Sequence, residues 1–84
     1  MKDKSVNMLD VQRAKKQKYA RKLFKEKYNT KEQEQKIEFI HEVLDQIRVC
    51  EEICCPVSKE LIADWINKGS IGYVMRTARA IKFA

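Results

Sequence analysis

Two glycines and one proline are the only strong backbone punctuation in these 84 residues, and none of them stands before Pro56. Gly and Pro end or kink helices more effectively than any other residue, so the long stretches without them can run as continuous helix. Those stretches are rich in Lys, Glu, Gln, Ala, Leu and Arg, all good helix formers. The fold class implied is mainly α. A chain of this length supports one modest core, so residues 1–84 are expected to form a single small helical domain.

Residues 1–9 read as a flexible basic arm, because Met1–Asn7 is polar, charged and without periodicity. Asp10 is placed to cap a first helix from about Val11 to Tyr28. In it Ala20, Leu23, Phe24 and Tyr28 share one stripe, and Ala14 is the only comparable apolar position in its first half. Asn29-Thr30 breaks the pattern, and Thr30 with Gln33 forms a capping-box signature that starts a second helix over 31–54. Its stripe of Ile37, Ile40, Leu44 and Ile47, widened by Phe39, Val43, Cys50 and Ile53, reads as the spine of the core. Lys36, Glu38, Glu42, Asp45 and Arg48 are left outward. The short connection makes the two helices an antiparallel hairpin.

Pro56 ends the second helix, since the residue before a proline is pushed out of the helical region. Ser58 caps a third helix over 59–68, with Leu61, Ile62, Trp65 and Ile66 facing inward and Gly69 as a left-handed terminator. Residues 71–83 admit two forms. One is a helix capped by Ser70, with Ile71, Val74, Met75, Ala78 and Ile81 on one face. The other is a β-hairpin of Ile71–Met75 and Ala80–Phe83 turning at Arg76–Arg79.

Charge is sorted along the chain. Residues 1–31 carry a net +8, residues 32–54 a net −5 and residues 55–84 a net +3, giving +6 overall. In the first helix Arg13, Lys15, Lys16, Lys18, Arg21, Lys22, Lys25 and Lys27 wrap around most of the surface, more cations than pairing with the acidic second helix would use. Such a surface neutralises phosphates and binds by releasing counterions. Tyr19, between Lys18 and Arg21, is placed either to stack on a base or to cover a hydrophobic edge. Two other readings of the same helix are docking onto an acidic protein and a plain solvated face. Exposed pairing across the hairpin would contribute only about 0–1 kcal/mol per pair.

Nothing in the chain points to catalysis or to a cofactor. Cys50 and Cys54 lie one helical turn apart, but structural zinc wants four ligands in paired short spacings, and His41 is more than two turns away. Cys50, Cys54 and Cys55 therefore read as small hydrophobes, with no metal expected. Glu51 and Glu52 point to different sides of a helix and have no partner for acid–base work. No glycine-rich phosphate loop and no Ser/His/Asp or Cys/His constellation is present. The chain has no run of apolar residues long enough to span a membrane, Met1–Asp10 lacks the apolar stretch of a signal peptide, and three clustered cysteines suit a reducing compartment, so a cytoplasmic location is expected.

The stretch Val57-Ser58-Lys59-Glu60-Leu61-Ile62-Ala63-Asp64-Trp65-Ile66-Asn67-Lys68-Gly69-Ser70-Ile71, followed by Val74, Arg76, Arg79 and Ile81, resembles the small winged helix-turn-helix DNA-binding domains of the excisionase and MerR-type group. The resemblance, confined to residues 49–84, implies that Ser58 and Lys59 begin a recognition helix that enters a DNA groove. It also implies that Arg76, Arg79 and Lys82 sit on a β-hairpin wing.

The expectation that follows is a small, basic, non-enzymatic nucleic-acid-binding protein with a regulatory or accessory role, such as transcription regulation. It would contact DNA or RNA through the Lys/Arg-rich first helix and the basic C-terminal segment. The competing expectation is a protein–protein interaction module, an inhibitor or assembly subunit that docks a charged helix onto a larger protein or ribonucleoprotein.

Overall fold

The computed structural model describes residues 8–53 and 55–83, with side chains from residue 11 onward. Of the arm expected over residues 1–9, Met8 and Leu9 belong to the first helix and the rest lies outside the described residues, as does the thiol of Cys54. Five helices and no strand occur among the described residues: α1 (Met8–Lys27), α2 (Thr30–Gln35), α3 (Ile37–Glu52), α4 (Lys59–Lys68) and α5 (Ile71–Lys82). Mainly α is therefore the fold class, with α1 packed on α3 and α4, and α5 packed chiefly on α3.

α1 begins three residues before the expected start, so Asp10 falls in the first helical turn instead of at the cap. Met8 and Leu9 are good helix formers, so the helix extends N-terminally past Val11. The second helix also starts differently. Asn29, not Thr30, is the cap: its side chain accepts the Glu32 N–H at 2.8 Å, and the Glu32 carboxylate accepts the Asn29 N–H at 3.1 Å. Asn is the stronger capping residue and Glu closes the box, so the motif sits one residue earlier than the Thr30/Gln33 pair. Gln33 instead donates its amide to the Tyr28 carbonyl at 2.7 Å, which satisfies a carbonyl at the end of α1.

The expected continuous helix over 31–54 is broken at Lys36, whose backbone leaves the helical region at φ −110°, ψ 24°. α2 buries no residue, so the core exerts no pull on its axis, and only α3 is aligned by packing. The break also brings the Lys36 ammonium over the rings of Tyr28 (5.2 Å) and Phe39 (5.9 Å). α3 is turned relative to the expected stripe. Phe39, Ile40, Val43, Ile47 and Cys50 are buried as expected, but Ile37 and Ile53 are about half exposed and Leu44 is only partly covered. Gln46 and Glu51 are buried in their place, because α3 is flanked by α1 on one side and α5 on the other. α3 ends at Glu52, where the Ile53 N–H closes on Val49 and the Cys55 N–H reaches back to the Cys50 carbonyl at 2.8 Å.

α4 has the expected bounds. The Ser58 hydroxyl accepts the Leu61 N–H at 3.1 Å, and Gly69 terminates the helix in the left-handed region at φ 64°, ψ 27°. A Cβ at Gly69 would meet the Tyr28 hydroxyl at 2.6 Å, so close approach of α1 demands glycine as strongly as the dihedral does. That hydroxyl donates to the Ile66 carbonyl at 2.8 Å and joins the end of α1 to α4.

Of the two forms open to 71–83, the structure has the helix. Ser70 caps it by accepting the Tyr73 N–H at 3.2 Å, and Val74 and Ala78 are fully buried. Thr77 decides the packing: its hydroxyl receives the indole N–H of the buried Trp65 at 2.6 Å and donates to the Tyr73 carbonyl at 2.8 Å, an arrangement that needs a helical turn between residues 73 and 77. Met75, expected on the inner face, is 51% exposed. Arg76, Arg79 and Lys82 accordingly project from a helix, and the hairpin that would carry them as a wing is not present among the described residues.

Candidate functional site

Between Val11 and Lys25, α1 contains no acid. Lys15, Lys18, Arg21, Lys22 and Lys25 follow one another at steps of three or four residues, with Arg21 and Lys22 side by side, so they fall on one face. All five are exposed, on a face turned away from the buried Ala20 and Phe24. From Lys15 to Lys25 this ridge runs about 15 Å along the helix. Among the described residues, none of the five makes an ion pair or a hydrogen bond.

The acidic segment does not neutralise them. Asp45 and Glu52 hold Arg48 of their own helix at 2.7 and 3.2 Å. Glu42 accepts from Gln46 at 2.6 Å. Glu51 crosses to α1, where its nearly buried carboxylate meets Lys16 at 2.8 Å. Lys16 thus stands apart from the other expected phosphate contacts, since its side chain is only 15% exposed and its ammonium is already engaged. Arg13 is half-buried as well.

Lys59 joins the α1 ridge from a different element. Its ammonium lies 5.4 Å from the centre of the Tyr19 ring, and Tyr19 is partly buried against the core. Tyr19 therefore covers a hydrophobic edge and at the same time seats a cation from the first turn of α4 beside the ridge. Ser58, one residue earlier, uses its hydroxyl on the helix cap.

Arg76, Arg79 and Lys82 form a second basic surface. Lys82 donates to Gln46 of α3 at 3.0 Å, whereas α1 reaches α3 through Glu51 and the Leu44 carbonyl, to which Gln17 donates at 3.1 Å. Gln46 and Glu51 point to different sides of α3, so the two basic surfaces occupy different flanks of the same helix. The second is not purely polar. Met75, Arg76, Arg79, Lys82 and Phe83 line a groove of about 450 Å³ with Gln46, and Phe83 is 78% exposed. Sequence reasoning missed Met75 and Phe83 as surface residues. The available signal was the spacing of Met75, Arg79 and Phe83, one residue per turn on a face away from Val74 and Ala78.

The Cys50 thiol and the Tyr28 hydroxyl are buried, and the Tyr73 hydroxyl is engaged by Asp64. Burial pushes the Cys50 thiol above its ordinary range, with Lys82 opposing, which leaves it poorly reactive at neutral pH. The Tyr28 hydroxyl is raised by burial and then by Glu32; that of Tyr73 is raised chiefly by its hydrogen bond to Asp64. No cluster of three His, Cys, Asp or Glu residues able to hold a metal occurs among the described residues, and none of the described helices is long and apolar enough to cross a membrane. Glu51 and Glu52 point apart, one to Lys16 and one to Arg48. Comparison with protein-family models, with curated proteins and with solved structures finds no match.

Proposed function

We propose that this protein is a small nucleic-acid-binding accessory or regulatory protein that contacts phosphates through the exposed face of α1. The observation that carries this reading is the unpaired ridge of Lys15, Lys18, Arg21, Lys22 and Lys25, extended by Lys59 over Tyr19. Five like charges held along one helix repel one another, and polyanion binding relieves that repulsion while it releases counterions. Lysine dominates the ridge and no large apolar residue interrupts it, a composition suited to point contacts with phosphates more than to a packed protein interface. Such contacts position the protein on the backbone and carry no base information by themselves.

The test is a fluorescence-anisotropy titration into labelled duplex DNA and single-stranded RNA across a range of salt. The five ridge contacts give a slope of roughly −4.5 in log K against log salt on duplex DNA. Replacing Lys15, Lys18, Lys22 and Lys25 by Gln should reduce that slope to about −1. No binding at low salt, or a slope unchanged in this variant, would sink the reading. A preference among duplex sequences would add the excisionase/MerR-type mode, with Ser58 and Lys59 at the start of α4 entering a groove.

A further inference from the structure

We infer that the groove between α3 and α5 is a second, separate binding surface, and that its occupant is an acidic amphipathic helix of a protein partner. The argument begins with composition. The α1 ridge offers five cations and no exposed large apolar group, whereas the α5 surface alternates Arg with Met and Phe: Met75 is 51% and Phe83 is 78% exposed, with Arg76 and Arg79 between them. Arg, Met and Phe are enriched where proteins bury each other, and a desolvated aromatic anchor contributes nothing to a phosphate backbone. Large apolar side chains at the rim of a preformed groove are instead the sockets into which a partner helix sets residues spaced one turn apart.

Charge then selects the partner. α5 contains no acid from Ile71 to Lys82, and among the described residues α3 gives the groove wall only the neutral Gln46. Gln46 already spends its amide on Glu42 and its carbonyl on Lys82, so it neutralises nothing. Arg76 and Arg79 are exposed and make no ion pair or hydrogen bond among the described residues. An occupant with apolar residues at i and i+4 and carboxylates on either side would bury Met75 and Phe83 and pair both guanidinium groups bidentately. From Met75 to Phe83 the surface is about 12 Å long, two turns of such a helix. A second copy of this chain fits less well: its acidic segment spends Glu42 on Gln46 and Asp45 on Arg48, and two copies at +6 repel.

The experiment uses the full chain and a fluorescent helical peptide of glutamates with leucines at every third or fourth position, alongside a scrambled peptide of the same composition and labelled duplex DNA. The ordered peptide is expected to bind. Arg76→Glu with Arg79→Glu, and separately Met75→Ser with Phe83→Ser, should each weaken it by about tenfold or more. Lys18→Glu with Lys22→Glu should weaken DNA and leave the peptide within about twofold. Each substituted side chain is exposed, and unchanged helical circular dichroism checks that the fold is kept. No peptide binding would overturn the proposal, and so would equal binding of the scrambled peptide. Insensitivity to Met75→Ser with Phe83→Ser would reduce the surface to unspecific charge. Loss of DNA binding in the α5 variants equal to that in the α1 variants would assign both surfaces to nucleic acid. A doubled mass by light scattering that the α5 variants abolish would make the occupant a second copy.

Discussion

Lys16 and Lys18 are the same residue two positions apart on the same helix, yet the fold gives them opposite work. Lys16 is held against the buried Glu51, while Lys18 is exposed. Removing Lys16 strands a carboxylate that is 4% exposed, so Lys16→Ala should lower stability by about 2 kcal/mol in a denaturant titration. The same measurement on Lys18→Ala should stay within about 0.5 kcal/mol of the parent, and the effect on the salt slope of nucleic-acid binding should be the reverse, a loss of about 1 for Lys18 and little for Lys16. That division was invisible in the chain because Glu51 is 35 residues away and a basic helix displays all its lysines alike. Gly69 was legible for the opposite reason, since a helix terminator is a local signal. What locality could not reveal is the Tyr28 hydroxyl that a Cβ there would strike. Gly69→Ala should therefore lose about 2 kcal/mol, from the left-handed dihedral and from a displaced hydrogen bond. In a double-mutant cycle, Tyr28→Phe should recover part of that loss, because the colliding oxygen is gone.

Helices with sharp chemical ends were readable, and those shaped by tertiary packing were not. α4 has the bounds its serine and glycine dictate. The break at Lys36 has no glycine or proline to announce it; it follows from α2 having nothing to bury while α3 is clamped between α1 and α5. The capping box at the start of α2 lay within reach of the sequence, but two overlapping pairs, Asn29/Glu32 and Thr30/Gln33, compete there. The distinction is measurable: Asn29→Ala should cost about 1 kcal/mol and Thr30→Ala less than about 0.5. Amide exchange should place α2 among the first helices to open, because its hydrogen bonds are shielded by no buried side chain. For α5 the β-branched and aromatic residues supported a strand as well as a helix, and the choice fell to Trp65, whose buried indole N–H needs Thr77 within one helical turn of Tyr73. The candidate site inherits this split. The α1 ridge was visible as composition, whereas the α5 groove depends on which form residues 71–83 adopt.

At the scale of the whole molecule, two phenol groups join helices around α4. Tyr28 donates to the Ile66 carbonyl and fixes the end of α1; Tyr73 donates to the Asp64 carboxylate and fixes α5. Both hydroxyls titrate above 10.0, Tyr28 through burial and then Glu32, Tyr73 chiefly through Asp64. A folded-state value raised above the unfolded one means that the unfolded chain releases its proton first. The stabilisation is therefore complete below about pH 10 and is lost as pH climbs through the raised values. Acid has no corresponding effect on these groups, since both are protonated throughout that range. The melting temperature of the intact protein should accordingly fall from about pH 10 upward. In a variant carrying Tyr28→Phe with Tyr73→Phe, the melting temperature should start lower at neutral pH, where the two hydrogen bonds are missing, and decline less steeply in alkali. An equally steep decline in that variant would move the alkaline sensitivity away from these two phenols. Because α4 is the element both of them hold, the same alkaline transition should quench or shift the emission of Trp65, the fully buried indole at its centre, together with the loss of helix signal.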